Sequence, residues 1–74
     1  MLAFFIKASE KTFYLSHSVR SRDNEVLTHH ALIEYLLNTY ASIKITINGN
    51  IELLFDDDAD IAFFTLASID GIEI

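Results

Sequence analysis

The side chains of this sequence that are best suited to chemistry are its clustered carboxylates. Four aspartates fall within five positions, at Asp56, Asp57, Asp58 and Asp60. Carboxylates at this density can coordinate a divalent cation, attract a basic protein surface, or stabilise the N-terminus of a helix, where backbone N–H groups present partial positive charge. The residues around the cluster decide which of these roles is favoured.

A calcium loop of the EF-hand type is excluded by the residues that follow the aspartates. Asp56, Asp58 and Asp60 match the first three ligand positions of such a loop. The sixth position, where the loop needs glycine, is Ile61, and the twelfth, where it needs glutamate, is Ala67. We therefore expect no dedicated metal site and no cofactor, although clustered carboxylates can still bind a divalent ion weakly.

The three histidines do not form a metal-binding or catalytic motif. His29 and His30 are adjacent on an expected helix and point about 100° apart, so they cannot easily share one metal ion. We expect His29, and His17 on its strand, to be buried and neutral. The sequence contains no HExxH motif, no glycine-rich phosphate loop and no nucleophile motif. We therefore expect no enzyme activity, and no residue is proposed as catalytic.

Charge is segregated along the chain. Up to Lys44 there are five basic and four acidic residues, whereas the remainder has seven carboxylates and no cation. These seven are Glu52, Asp56, Asp57, Asp58, Asp60, Asp70 and Glu73. A region of one sign attracts cationic surfaces and repels phosphate, so we expect a protein partner with a basic surface and no direct nucleic-acid binding. Imitation of nucleic-acid phosphates would need Glu52, Asp70 and Glu73 to extend the aspartate cluster over a surface.

Size and composition predict a single small domain over residues 1–74. The chain has no cysteine and no proline, and 51% of its residues are hydrophobic. A domain this short buries only about 60% of the surface that its unfolded chain exposes, so self-association would bury the excess and we expect a homodimer. No stretch approaches the roughly 20 apolar residues of a membrane-spanning helix, and no targeting segment is evident. We therefore expect no membrane binding and a cytoplasmic location.

Hydrophobic periodicity predicts the element order ββαββα, with a possible terminal strand. Residues 2–8 and 12–19 alternate as a hairpin, and residues 24–40 have a helical period with Asp23 as the candidate N-cap. Residues 42–47 and 51–55 form a second hairpin. A short helix over about 58–66, capped by Asp57 or Asp58, precedes a tail bent at Asp70-Gly71, although residues 61–69 fit a buried strand equally well. The expected fold class is α+β, an antiparallel four- or five-stranded sheet with two helices on one face.

Burial determines the register of the second hairpin. A two-residue loop would place Glu52 on the buried face, whereas a three-residue Asn48-Gly49-Asn50 loop pairs the apolar residues of the two strands. The expected pairs are Ile47 with Ile51, Ile45 with Leu53, and Ile43 with Phe55. The three-residue loop needs a positive φ near its end, which Asn50 tolerates.

The same patterns predict a core and an exposed sheet face. On the helix, Val26, Ile33, Leu37 and Tyr40 form the apolar stripe, widened by Leu36, while Tyr35 faces solvent. The expected core contains Phe4, Ile6, Phe13, Leu15, Ile33, Leu37, Ile43, Ile45, Leu53 and Phe55. The outer face of the sheet is expected to expose Phe5, Tyr14 and Leu54 among Lys44, Thr46 and Glu52. If those three cluster, they form an apolar patch for a dimer or another partner.

The acidic segment resembles part of a group of phage proteins. Residues 55–66, FDDDADIAFFTL, are similar to a segment near the C-terminus of short accessory proteins of T4-like phages, in which an aromatic strand end precedes acidic residues, an Asp-Ala pair and Phe-x-Leu. The matching positions are Phe55, Asp60, Phe64 and Leu66, whereas Ile61 replaces the usual alanine and Thr65 a basic residue. The resemblance covers 12 residues. It implies a phage-encoded protein that binds and redirects a host component in the host cytoplasm.

Three hypotheses follow from these patterns. The first is a small acidic protein–protein interaction module that modulates a host protein, with mimicry of nucleic acid as a variant. Its candidate partner-binding residues are Asp56, Asp57, Asp58, Asp60, Glu52, Phe5, Tyr14 and Leu54. The second is a structural homodimer or assembly subunit in which the acidic residues only provide solubility, and the third is a minimal enzyme that uses a helix histidine.

Overall fold

The chain forms five strands and two helices. The computed structural model describes residues 1–19 and 25–74. The elements are β1 (Leu2–Lys7), β2 (Thr12–Val19), α1 (Glu25–Thr39), β3 (Ile43–Ile47), β4 (Ile51–Phe55), α2 (Asp58–Ser68) and β5 (Ile72–Glu73). The strands pair antiparallel in one sheet, in the order β3-β4-β2-β1-β5. The predicted fold class and the order ββαββα(β) are confirmed.

Both helices pack on the same face of the sheet, around a cluster of aromatic rings. Phe64 of α2 lies at the centre, with ring centroids 4.8 to 5.7 Å from its neighbours. The rings around it are Phe5, Phe13, Tyr40 and Phe55. Most of these pairs meet edge to face, the geometry that the ring quadrupole favours. This cluster links β1, β2, β4, the end of α1 and α2 into one core.

The second hairpin has the register that burial of its isoleucines predicts. Ile47 pairs with Ile51, Ile45 with Leu53, and Ile43 with Phe55. The loop conformation differs from the prediction, because Gly49 has the positive φ of 71° and Asn50 does not. Glycine has no Cβ to clash in this region, so it takes the left-handed position at the lowest cost. The Asn50 side chain instead accepts a hydrogen bond from the Ile51 N–H at 2.9 Å.

The face of β1 that points into the core is the opposite of the predicted one. Ala3 is fully buried, and Phe5 packs against the core. Phe4 and Ile6, predicted to be core residues, lie on the outer face, where Ile6 is exposed. Both alternating sets of this strand are apolar, so period alone could not select the buried one. The packing of Phe5 against Phe64 of α2 determines which set is buried. This contact is tertiary, so the sequence of β1 does not contain it.

A β-bulge inverts the faces of β2 part way along the strand. Phe5 pairs with Leu15 but Phe4 pairs with His17, so Ser16 is the extra residue. One inserted residue moves every later side chain to the other face. His17 is therefore exposed on the outer face, stacked on Phe4 with ring centroids 4.6 Å apart. The expected burial of His17 is wrong for this reason.

The apolar stripe of α1 is rotated relative to the predicted one. Leu32, Leu36 and Tyr40 are buried, whereas Leu37, predicted to be in the core, is 53% exposed. This helix has apolar residues on several sides, so its sequence period does not define one narrow stripe. Tyr35 is exposed, as predicted. The predicted N-cap Asp23 and the side chain of Val26 lie outside the described residues.

The acidic segment starts a helix, and residues 61–69 are not a strand. Asp57 has an extended backbone, and its carboxylate accepts a hydrogen bond from the Ala59 N–H at 2.9 Å, which is the arrangement of an N-cap. The helix runs two residues beyond the predicted end. It stops before Gly71, whose φ of 87° a helix does not allow. Neither helix, over the residues that the structure describes, is long and apolar enough to span a bilayer.

Candidate protein-binding surface

Two of the four clustered aspartates hold the fold together. Asp57 caps α2, as described above. Asp60 accepts hydrogen bonds from the Ser42 N–H at 3.0 Å and from the Ser42 hydroxyl at 2.7 Å. The same hydroxyl oxygen accepts a hydrogen bond from the Asp57 N–H at 3.2 Å. Ser42 lies between α1 and β3, so these bonds fasten the start of α2 to the connection before β3.

The other two aspartates, Asp56 and Asp58, are exposed on the surface. Asp56 is 3.3 Å from the ammonium of Lys44, and both side chains are mostly exposed. An exposed pair of this kind contributes only about 0 to 1 kcal/mol, because water screens it. Asp58 is exposed at the first position of α2 and has no side-chain hydrogen bond or ion pair to any described residue. The charge that this cluster presents to a partner therefore comes mainly from Asp56 and Asp58.

The remaining carboxylates of the acidic half do not extend this cluster. Glu52 is half-buried on the outer face of the sheet, paired with Tyr14 and Thr46. Asp70 follows α2, whose 11 residues place it about 16 Å from the aspartate cluster. Glu73 lies on β5, at the edge of the sheet farthest from β3. The carboxylates of the acidic half therefore lie on several parts of the molecule and not in one cluster.

The solvent side of α2 is an apolar surface that the sequence reasoning missed. Phe63, Leu66 and Ile69 are 67%, 69% and 69% exposed, and they follow one another at helical spacing. Ala59 and Ala62 are exposed on the same side. We call these five residues the α2 face. A signal for it was present, because a helix over the uncharged run 61–69 can bury only one side and must expose the other.

A groove separates the α2 face from the end of α1. Its volume is about 530 Å³, and it is lined by Thr39, Tyr40, Asp60, Phe63, Leu66 and Ala67. The Tyr40 ring is buried at its base. Burial raises the pKa of the Tyr40 hydroxyl, and electrostatic interactions with Tyr35 and Asp60 raise it further. The hydroxyl therefore stays neutral in ordinary conditions, and the groove offers mostly apolar contacts.

The outer face of the sheet forms a second surface, different from the predicted one. Tyr14 is exposed there and Leu54 is half-buried, as part of cross-strand rows with Thr46, Glu52 and Lys44. The expected exposure of Phe5 is wrong, because its ring packs 5.2 Å from Phe64 in the core. The apolar residues that occupy this face in its place are Leu2, Phe4, Ile6 and Val19.

The histidines have different surroundings, and His17 lies on β2 away from the adjacent pair on α1. His29 is half-buried beside Ile33 and Ile47, at a cavity lined mostly by apolar residues. His30 is exposed, with its ring 3.6 Å from the Glu34 carboxylate. Within residues 1–19 and 25–74, no three His, Cys, Asp or Glu side chains lie close enough to hold a metal ion.

Comparison with known proteins adds no relative to this description. No family model, curated protein or solved structure matches the chain. The candidate site therefore rests on the geometry of the α2 face, its groove and the aspartates beside them.

Proposed function

We propose that this protein is a small protein–protein interaction module that binds its partner through the α2 face. The observation that carries the proposal is the exposure of Phe63, Leu66 and Ile69 along one side of a well-capped helix. Contiguous exposed apolar patches mark interaction sites, because leaving such side chains in water is unfavourable. Phenylalanine and leucine on a rigid helix also need little ordering on binding, which favours affinity.

The charges around the α2 face favour a basic, amphipathic partner. Asp58 lies at the start of α2 and Asp70 just beyond its end, while Asp60 borders the groove. No lysine or arginine occurs from residue 45 onward. A partner helix with apolar anchors for the groove and flanking lysines or arginines complements this pattern. Carboxylates at the rim speed encounter and reject acidic competitors, whereas the apolar contacts provide most of the affinity.

The resemblance of residues 55–66 to T4-like phage proteins supports a phage origin and a bacterial host protein as the partner. It covers the start of the helix that carries the α2 face. Mimicry of nucleic acid is the less favoured form of the proposal, because Asp57 and Asp60 already bond within the fold. The favoured function is therefore binding of a protein partner through apolar contacts, with the carboxylates determining which partners bind.

The test is capture from bacterial lysate followed by quantitative binding of the purified captured protein. The immobilised baits are the wild type, the Phe63→Ser/Leu66→Ser variant of the α2 face, and an Ile6→Ser/Val19→Ser control on the outer sheet face. The control removes two similarly exposed apolar side chains from a different surface. We expect the α2 variant to raise the Kd by roughly tenfold or more, since truncated anchor residues cost about 1 to 2 kcal/mol each. We expect the control to bind like the wild type.

The dependence of binding on salt and on Asp58 provides a second part of the same test. Binding should weaken with salt, and Asp58→Asn should reduce this salt dependence, because the exposed carboxylate steers a cationic surface. Equal retention of every protein by the wild type and the α2 variant would contradict the proposal. A wild-type bait that retains nothing at low salt would favour the alternative, an assembly subunit that binds only its own copies.

A further inference from the structure

We infer that a second copy of this chain pairs with the free edge of β3, antiparallel and about a twofold axis at Ile45. The two five-stranded sheets then form one continuous sheet. This inference is independent of the proposed function, because the α2 face is not part of the β3 edge.

Hydrogen-bond alternation shows which backbone groups of β3 face outward. The Phe55 N–H donates to the Lys11 carbonyl at 2.9 Å, so Phe55 and its alternates in β4 face β2. The intervening Glu52 and Leu54 face β3, where they pair with Thr46 and Lys44. The remaining residues of β3, which are Ile43, Ile45 and Ile47, therefore direct their backbone groups away from β4.

These outward groups have few partners within the chain. The Ile43 N–H donates to the Tyr40 carbonyl at 3.4 Å. Among the described residues, no hydrogen bond involves the outward N–H groups of Ile45 and Ile47. Paired backbone groups are the rule in strands, and an unpaired row is a template for another strand.

The β3 edge also lacks most of the features that prevent the edge strands of two molecules from pairing. The chain has no proline, and the β3–β4 register runs without a bulge. Lys44 is the only charged residue of the strand, and its exposed ammonium lies 3.3 Å from Asp56. The opposite edge differs, because β5 has only two residues there. β3 is thus the longer and less protected edge.

The sequence of β3 is complementary to itself in the antiparallel direction. About a twofold axis at Ile45, each Ile45 faces its counterpart, and each Ile43 faces Ile47 of the second copy. These are the residues with outward backbone groups, so Ile45 exchanges two hydrogen bonds with its counterpart, and the Ile47 N–H donates to the Ile43 carbonyl of the second copy. Each Lys44 lies opposite Thr46 of the second copy. That Thr46 pairs with Glu52 of the second copy, so a single strand separates Lys44 from an opposite charge.

Two exposed apolar side chains beside this edge support the same pairing. Ile47 is 66% exposed and Leu37 is 53% exposed. Thr39 lines the groove beside α2, so it lies on the side of α1 that faces α2. Ile33 and Ile47 line one cavity, so Ile33 lies on the side of α1 that faces Ile47. Leu37 follows Ile33 by four residues and so lies on the side near β3. A second copy would cover both side chains and bring the two α1 helices alongside each other.

The first test changes the charge opposite Lys44. Thr46→Lys places two like-charge pairs across the twofold axis but gives each chain an attractive neighbour for its own Glu52, so the monomer should stay folded. We expect sedimentation equilibrium to show a dimer Kd raised roughly tenfold, since each opposed pair costs up to a factor of about five. Thr65→Lys on α2 is the matched control with the same net charge, and it should dimerise like the wild type.

The second test follows the backbone amides directly. Ile45 and Ile47 N–H groups should exchange with deuterium more slowly as protein concentration rises, whereas the Thr46 N–H, already directed at β4, should not change. Ile47→Lys should abolish this concentration dependence, because it places a charge against Ile43 of the second copy. A wild type that stays monomeric up to millimolar concentration would overturn the inference. A dimer that Thr46→Lys and Ile47→Lys leave unchanged would overturn it as well.

Discussion

The two sides of α2 have opposite environments. Phe64 is fully buried among four other aromatic rings, whereas Phe63, the residue before it, is 67% exposed. Consecutive helical residues point about 100° apart, so one apolar run can supply both the core and a surface. The comparison shows that only part of the apolar content of this segment is buried in the core.

The clustered aspartates divide in the same way. Asp57 and Asp60 bond within the fold, whereas Asp56 and Asp58 face solvent. A functional test that replaces all four together would mix a folding defect with a binding defect. Variants at matched positions on the two sides separate the effects.

Among variants on the two sides of α2, Phe64→Ala should have the largest effect on the free energy of unfolding. Removing a fully buried phenylalanine from a packed core costs about 3 to 5 kcal/mol, because the cavity collapses only partly. We expect the free energy of unfolding, measured with urea, to fall by most of its value. Phe63→Ala is the control and should change it by less than about 0.5 kcal/mol. Similar losses for the two variants would show that both side chains are structural.

Asp60→Ala should have the next largest effect. Its carboxylate accepts two hydrogen bonds from Ser42 in a partly buried site, and bonds to a charged group contribute about 1.5 to 3 kcal/mol. We expect a loss of this order in urea unfolding. Asp58→Ala removes the same carboxylate from an exposed position and should be nearly neutral. If Asp58→Ala proved as costly, the division of the cluster would be wrong.

Asp57→Ala should cost about 1 kcal/mol, the usual effect of removing an N-cap side chain. Asp56→Ala, which breaks only the exposed pair with Lys44, should cost less than that. Thermal unfolding followed by circular dichroism resolves the two, since 1 kcal/mol shifts the Tm of so small a domain by about 4 to 8 °C. Equal shifts would remove the assignment of Asp57 as the cap.

The smallest expected effect is on the free energy of unfolding at alkaline pH. The pKa of Tyr40 is raised in the folded state, chiefly by burial, so above the ordinary pKa of about 10 the folded chain holds more protons than the unfolded chain. The stability that the neutral hydroxyl contributes is complete below pH 10 and is lost as the pH rises further. We expect Tyr40→Phe to make this decline shallower in urea unfolding between pH 8 and 11. Parallel declines for variant and wild type would contradict it.

Local patterns were enough to predict the element order, the second hairpin and the start of α2. The isoleucines of β3 could pair with apolar residues of β4 in only one register, because a slip of one residue would bury Glu52. Asp57 and Asp58 were both recognisable as candidate caps, because capping involves neighbouring residues. These interactions act over a few positions of the chain, so the sequence displays them.

The choice between equally apolar faces depended on contacts that local pattern does not contain. In β1, Phe4 and Phe5 were both suitable for the core, and only the packing against Phe64 decided between them. His17 changed face because Ser16 forms a bulge, and Leu37 is exposed because Leu36 occupies the inward direction. The bond between Asp60 and Ser42 joins residues 18 apart.

By itself, then, the sequence determined the order of the elements up to β4 and how β3 pairs with β4, whereas residues 61–69 fitted a helix or a strand. The tertiary structure alone decided which apolar side chains were left over at the surface. The physical reason is one of capacity: a helix or strand can bury one side against a small core, and a chain with 51% hydrophobic residues has more apolar sides than that core can cover. The α2 face, the β3 edge and the outer face of the sheet carry part of this surplus.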